Sequence, residues 1–347
     1  METIWFLFVG FIFAGYVLLD GYDLGTGALH LFLARTDEER QQSLAAIAPF
    51  WDANEVWLIA GGGTLYFAFP PVYASGFSGF YLPLMMILWL LILRGISIDF
   101  RNHVKSPVWA PLWDAGFTFS SALLALFFGV ALGNLLRGVP LDKEGEFFLP
   151  LWTNFRTTGS GVGILDWYTV LTGLFILIAI MAHGAIWVQY KTEGALSERA
   201  RNAALRLIPV AGVLCAGVTW ATFWIQPQAA ANLRVAPWGG LLPLVGLTAL
   251  VWSWVSVRSQ RALVAFGMTS LFLLCTLAAA AFTLFPYLLP SNLSPEAGLT
   301  IYNSNPGPYG MRVGLYWWIP GMLIAVAYSV GVHRHFRGKV ELSSVHA

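Results

Sequence analysis

The chain has 347 residues, of which 57% are hydrophobic and 11% are charged. Soluble domains carry about 25% charged residues, so this composition excludes an ordinary soluble enzyme. A mean hydropathy of +0.67 indicates a polytopic membrane protein. A formal net charge of +1 excludes a basic nucleic-acid-binding protein. The two cysteines, Cys215 and Cys275, have no metal-ligand spacing and predict no disulfide framework.

The first apolar run, residues 4–34, predicts a membrane helix that is retained in the mature protein. No basic residue precedes it, and no small-residue cleavage site follows it. At 1.5 Å per residue the run would form about 45 Å of helix, which is longer than the apolar core of a signal peptide.

Apolar stretches long enough to cross a bilayer recur along the whole chain, and we expect an all-α fold with about nine transmembrane helices. Arg258 and Arg261 separate two of these stretches, which if merged would form a helix of about 50 residues, too long for a bilayer of about 30 Å. The nine predicted segments are 4–34, 50–70, 74–98, 115–136, 162–190, 203–225, 238–257, 262–289 and 313–333.

The basic residues predict the orientation of these nine helices. With the N-terminus outside and the C-terminus in the cytoplasm, most of the 19 Lys and Arg residues fall inside, as the positive-inside rule requires. The inner residues are Arg35, Arg40, Arg94, Arg101, Lys105, Lys191, Arg199, Arg201, Arg206, Arg258, Arg261, Arg334, Arg337 and Lys339. The outer residues are Arg137, Lys143, Arg156, Arg234 and Arg312.

We expect a single transmembrane domain over residues 1–347, built as two related four-helix bundles over 1–136 and 162–289. The last helix and a basic cytoplasmic tail would occupy 313–347. The similarity of Asp20-Gly21 to His183-Gly184, each near the end of the first helix of its bundle, is a weak indication of the repeat.

Two acidic pairs lie within or next to the first two predicted helices. Asp20 and Asp23 are three residues apart and share one helical face, as do Asp52 and Glu55. An ionisable residue inside a membrane is costly and by default indicates function. With the predicted orientation all four carboxylates lie in the cytoplasmic half of the bilayer. There they could carry protons from the cytoplasm toward the membrane interior.

Structural alternatives remain for each pair. Asp52 after Pro49 could cap the second helix, with Glu55 completing a capping box. Asp20 and Asp23 could be a structural pair neutralised by Arg94. Two further charged residues, Asp99 and Arg101, are typical of the membrane interface.

Histidine is scarce inside the predicted helices. Six histidines occur, and only His183 lies well within a helix, where a packing role is more common than ligation. A protein with several haems needs several intramembrane axial ligands. We therefore expect no haem and no metal in this chain.

Four motifs resemble subunit II of cytochrome bd-type quinol oxidases, including the cyanide-insensitive variants. They are DGYDLGTG at 20–27, WDANEVWL at 51–58, FSGFY at 77–81 and LRGISIDFR at 93–101. A GNLLRGVP segment at 133–140 is also similar. Tyr22 and Ala53 stand where the family usually has Phe and Gly.

The resemblance implies a heterodimer in a prokaryotic plasma membrane that oxidises quinol and reduces oxygen to water. Haem b and haem d would lie in subunit I, and subunit II would support it and deliver protons. Asp52 matches the family's proton-path aspartate, and Asp20 and Asp23 match its acidic pair. The resemblance leaves open a small accessory subunit, and a quinone bound structurally, as in some members, to residues that are not assigned.

Two other functions fit the residues. A proton-coupled secondary transporter could use two repeated bundles and buried carboxylates, and it would work without a pigmented partner. A purely structural scaffold for another membrane subunit would tolerate amides at all four acidic positions. Membrane lipid and a second subunit are the partners that the sequence favours.

Overall fold

The computed structural model describes residues 1–104, 106–159 and 161–340. Lys105 and residues 341–347 of the predicted tail lie outside this part. The described residues form twelve α-helices and one short antiparallel hairpin of β1 (Tyr287–Leu289) and β2 (Leu299–Thr300). The helices are α1 Glu2–Leu33, α2 Asp37–Ala45, α3 Trp51–Ala68, α4 Pro70–Gly79, α5 Tyr81–Phe100, α6 Trp109–Arg137, α7 Trp167–Lys191, α8 Gly194–Ile225, α9 Pro227–Val235, α10 Leu241–Arg258, α11 Ala262–Leu284 and α12 Pro308–His335.

Eight helices in the described part are long and apolar enough to cross a membrane: α1, α5, α6, α7, α8, α10 with its preceding turn, α11 and α12. The predicted all-α polytopic class is therefore confirmed. Helix α3 accounts for the ninth predicted segment. Its 18 residues span about 27 Å, but Asp52, Asn54 and Glu55 make it less apolar than the other eight.

The helix boundaries agree with the sequence in one place and differ in another. The predicted division at Arg258 is correct, because α10 ends there and α11 begins at Ala262. The predicted segment 74–98 is wrong as a single helix, because the helix is interrupted at Phe80, between α4 and α5. Pro83 lies in the first helical turn of α5, where a proline without an N–H group is tolerated. The interruption between α4 and α5 therefore lies just before Pro83.

Helices α1 and α7 cross closely at Gly25 and Gly184. A methyl group added at Gly25 would overlap the carbonyl oxygen of Ile180, and one at Gly184 would overlap the backbone of Gly25. Small residues at such a point let two backbones approach closely in a membrane. Gly25 lies two residues beyond Asp23 on α1, so the crossing fixes the position of the acidic pair relative to α7.

Two long connections meet at one end of the helices, which we call the loop end. The backbone N–H of Val139 donates to the carbonyl of Pro290 at 3.0 Å, and the N–H of Asn292 donates to the carbonyl of Val139 at 2.9 Å. The opposite end, with α2, the α5–α6 connection and the C-terminal tail, is called the basic end. The division into two four-helix bundles stays a prediction.

Candidate functional site

The acidic pair of α1 lies in the centre of the helical assembly. Asp20 and Asp23 are both fully buried, and α1 packs against α3, α6, α7 and α11 around them. Because a carboxylate removed from water needs hydrogen bonds or a counter-charge, the partners of these two side chains define the chemistry of the site.

Asp20 is held by a buried arginine from α5. Arg94 Nη1 donates to Asp20 Oδ2 at 2.8 Å, and Nη2 donates to Asp20 Oδ1. Both side chains are fully buried. The bidentate geometry is the strongest form of arginine–carboxylate contact. The suggested counter-charge role of Arg94 thus agrees with the geometry, and it is directed at Asp20.

Asp23 has a neutral partner instead of a cation. Asn54 Nδ2 on α3 donates to Asp23 Oδ2 at 2.8 Å and also lies 2.8 Å from the Tyr22 hydroxyl. The second oxygen of Asp23, Oδ1, has no hydrogen-bond partner among the described residues, and neither has Nε of Arg94. Among the described residues, Asp20 is thus bonded to a guanidinium, whereas Asp23 is bonded to an amide.

A histidine from α12 extends this polar group toward the basic end. His333 Nε2 lies 3.0 Å from the Tyr22 hydroxyl, and its Nδ1 lies 2.8 Å from the carbonyl oxygen of Ser329. A carbonyl only accepts, so Nδ1 carries the proton, and in the neutral ring Nε2 accepts from Tyr22. His333 and Asn54 were not predicted to be functional residues. Both contact the hydroxyl of Tyr22, and the presence of Tyr22 where the family usually has Phe was the signal that could have revealed them.

The second acidic pair lies on α3 and becomes more buried along the helix. Asp52 is exposed in the first turn, and Glu55, nearly one turn further, is partly buried. Glu55 is close enough to interact with the charges of Arg94, Asp20 and Asp52. The capping alternative for Asp52 is wrong, because Phe50 precedes the helix and no side chain caps it.

Arg101 is buried, contrary to the expectation of an interface residue, whereas Asp99 is exposed. Arg101 donates from Nε to Asp114 Oδ1 and from Nη2 to Asp37 Oδ1, each at 2.6 Å. Burial alone would lower the pKa of Arg101, but these two carboxylates outweigh burial and raise it. His30, fully buried, adds a 3.0 Å contact to Asp114. This cluster joins α1, α2, α5 and α6 at the basic end.

His183 is fully buried on α7 and has partners on both ring nitrogens. Nδ1 lies 2.8 Å from Thr269 Oγ1, Nε2 lies 3.3 Å from the carbonyl oxygen of Leu18, and the ring stacks on Phe266. In the described ranges no cluster of three or more His, Cys, Asp or Glu side chains has the arrangement of a metal site.

These features define a class of protein: a multi-pass membrane subunit with a buried, partly uncompensated acidic pair. Comparisons with known proteins are specific about the family. The family model for cytochrome bd terminal oxidase subunit II matches residues 1–336, and the chain belongs to this family. It is accordingly a subunit of a respiratory terminal oxidase in a bacterial plasma membrane.

Named relatives cover nearly the whole chain. The probable cytochrome oxidase subunit 2 of Haemophilus influenzae is 30% identical, over 99% of this chain and 96% of its own length. The cytochrome bd-I ubiquinol oxidase subunit 2 of Escherichia coli is 31% identical, over 94% of this chain and 91% of its own length. The cytochrome bd ubiquinol oxidase subunit 2 of Bacillus subtilis is 30% identical, over 90% and 89%.

The fold is also similar to a chain in the solved structure of bd oxidase from Geobacillus thermodenitrificans. The TM-score is 0.77 at 17% identity, and the match covers 97% of this chain and 98% of that one. The agreement of fold and family confirms the resemblance found in the four motifs and favours an oxidase subunit over a secondary transporter.

Proposed function

We propose that this chain carries protons from the basic end of the helices to the acidic pair of α1, and from there toward a haem-bearing subunit I. The complex would oxidise quinol and reduce oxygen, and this chain would hold no haem. The basic end would face the cytoplasm and the N-terminus the outside, since most Lys and Arg residues lie at the basic end.

The graded burial of the four carboxylates supports this route. Asp52 is exposed, Glu55 is partly buried, and Asp20 and Asp23 are fully buried. A proton taken from water at Asp52 would pass to Glu55 and then to the acidic pair. The unpartnered Oδ1 of Asp23 is the acceptor that could receive it.

Arg94 would determine which carboxylate of the acidic pair carries the proton. Its guanidinium is committed to Asp20 by two hydrogen bonds, so Asp23 is the member of the pair that can gain and lose a proton without breaking an ion pair. Because reduction of oxygen consumes protons, taking them up from the cytoplasmic side alone would make turnover generate a membrane potential.

Support of subunit I is the second part of the proposed function. Helix α3 is too polar for contact with lipid alone, and its exposed residues recur at spacings of three and four. They are Asp52, Val56, Ile59, Gly63 and Tyr66. The accessory subunit and the structural quinone stay predictions without assigned residues.

Replacing Asp52 with Asn tests the route in the purified complex. We expect slower oxygen consumption with the haem absorption spectrum unchanged. Asp99→Asn is the matched control, because Asp99 is also exposed at the basic end and lies outside the proposed route. Wild-type turnover in Asp52→Asn would contradict the proposal.

A further inference from the structure

The C-terminal tail, α2 and the α5–α6 connection enclose a cleft of about 1240 Å³ at the basic end. Five basic side chains line it: Arg40, Arg101, Lys191, Arg337 and Lys339. Asp37 is the one carboxylate in the lining within the described residues. We propose that this cleft is a binding site for a phosphate-bearing anion, supplied either by a lipid headgroup or by a soluble phosphate compound.

Lys191, like Arg101, is a buried cation of this lining. It is 4% exposed, and its Nζ donates one hydrogen bond, at 2.7 Å, to the carbonyl oxygen of Phe336. It forms no ion pair within the part of the chain that the structure describes. The ammonium also lies 5.6 Å from the ring centre of Phe50. An ammonium has three donors, so two remain for a ligand in the cleft.

The other cations are only partly neutralised. Asp114 is shared by Arg40, Arg101 and His30, and Arg40 Nε is buried without a hydrogen-bond partner among the described residues. Lys339 is 3.8 Å from Glu193. Within the described residues, Asp37, Asp114 and Glu193 thus lie against five Lys and Arg side chains. This leaves an excess of positive charge in a partly enclosed cleft, where an anion is held more strongly than at an open surface.

The remaining lining favours a lipid as the source of the phosphate. Leu44, Ala45, Ala48 and Ile98 form an apolar part of the wall next to the basic residues. A headgroup at the cations would place the beginning of its acyl chains against these side chains. Basic pockets between membrane helices on the cytoplasmic side are known to suit acidic lipid headgroups.

The test uses the purified complex in detergent and measures its melting temperature with three probes. These are short-chain phosphatidylglycerol, phosphatidylcholine of the same chain length, and inorganic pyrophosphate. A ligand that binds the native state raises the melting temperature in a saturable way. We expect phosphatidylglycerol to do so and phosphatidylcholine not to. A shift with pyrophosphate alone would assign the site to soluble phosphates.

The variant is Arg337→Gln combined with Lys339→Gln, both on the exposed tail, and the control is Arg334→Gln, which lies outside the cleft. Each basic side chain near an acidic headgroup is worth roughly a fivefold change in affinity. The double variant should therefore need about 25 times more probe for half-saturation. An intact haem spectrum shows that it is folded. Absence of any shift with both anionic probes, or equal half-saturation in the double variant and the wild type, would overturn the proposal.

Discussion

Arg94 binds both carboxylate oxygens of Asp20 in the interior of the helical assembly. Asp23, one turn further along α1, is held by the amide of Asn54. The two carboxylates differ in their partners although they lie on one helical face. This difference separates a structural acid, Asp20, from the acid that the proposed route uses, Asp23.

Replacing Arg94 alone should destabilise the protein more than replacing both Arg94 and Asp20. Arg94→Gln leaves Asp20 buried without a cation, which typically costs about 3–5 kcal/mol. Arg94→Gln combined with Asp20→Asn removes both charges and should recover part of that loss. The yield and melting temperature of the purified complex measure both variants. A double variant that is less stable than Arg94→Gln would contradict the assigned pairing.

Packing at the crossing of α1 and α7 should tolerate no side chain. Gly184→Val places methyl groups against the backbone of Gly25, and overpacking of this kind costs about 1–3 kcal/mol or more. The matched control is Gly217→Ala on α8, where an added methyl group meets no atom within 4 Å. We expect a lower melting temperature for Gly184→Val only; equal effects would show that the crossing is looser than described.

The Tyr22 hydroxyl should couple α1 to α12. Tyr22→Phe keeps the ring stacked on Trp187 at 4.2 Å between centroids but leaves Nε2 of His333 without its donor, at a cost of about 1 kcal/mol. His333→Ala should then add little in a Tyr22→Phe background. A double-mutant cycle on melting temperature measures the coupling, and fully additive losses would contradict it.

Glu39 on α2 should make stability depend on pH. Burial alone raises its pKa, but the ion pair with Arg199 and the N–H groups of Arg35 and Thr36 outweigh burial, and the net pKa is lowered. The ionised form therefore stabilises the fold above the unfolded pKa of about 4.3. That contribution is lost as pH falls through the lower folded value.

Glu39→Gln should lower the melting temperature at pH 7, and this effect should shrink as pH falls through the lowered folded pKa of Glu39. Because Glu39 and Arg199 are 18% and 22% exposed, the loss at pH 7 should be at most about 1 kcal/mol. The measurement is a series of melting curves of both proteins from pH 7 to pH 3.5. A difference that grows toward acid pH would have the wrong sign for this interaction.

The long apolar helices were predictable because their composition is that of membrane-spanning segments. The division between Arg258 and Arg261 was predictable because one merged helix would be too long for the bilayer. The need of Asp20 and Asp23 for polar partners was also predictable, because a buried carboxylate is costly without them. Arg94 was predictable as a counter-charge, but its choice of Asp20 over Asp23 was not, and neither were the contacts of Asn54 and His333. Arg94, Asn54 and His333 come from three other helices, and packing selects them.

The same limit explains Arg101 and the short helix α2. A charged residue at a helix end is typical of the interface, and only the position of Asp114 on the neighbouring helix makes it a buried ion pair. Helix α2 is too short and too polar to stand out as a membrane segment. Its N-terminal capping box, Thr36 with Glu39, was the local signal that could have revealed it.

In the proposed route, protons move from the basic end through Asp52 and Glu55 to Asp23. The most direct measurement is the rate at which the complex, reconstituted in sealed vesicles with a potential-sensitive dye, generates a membrane potential during oxygen reduction. Asp23→Asn and Asp52→Asn should each slow this rate by at least about tenfold while the haem spectrum stays unchanged. Wild-type rates in both variants would contradict the claim.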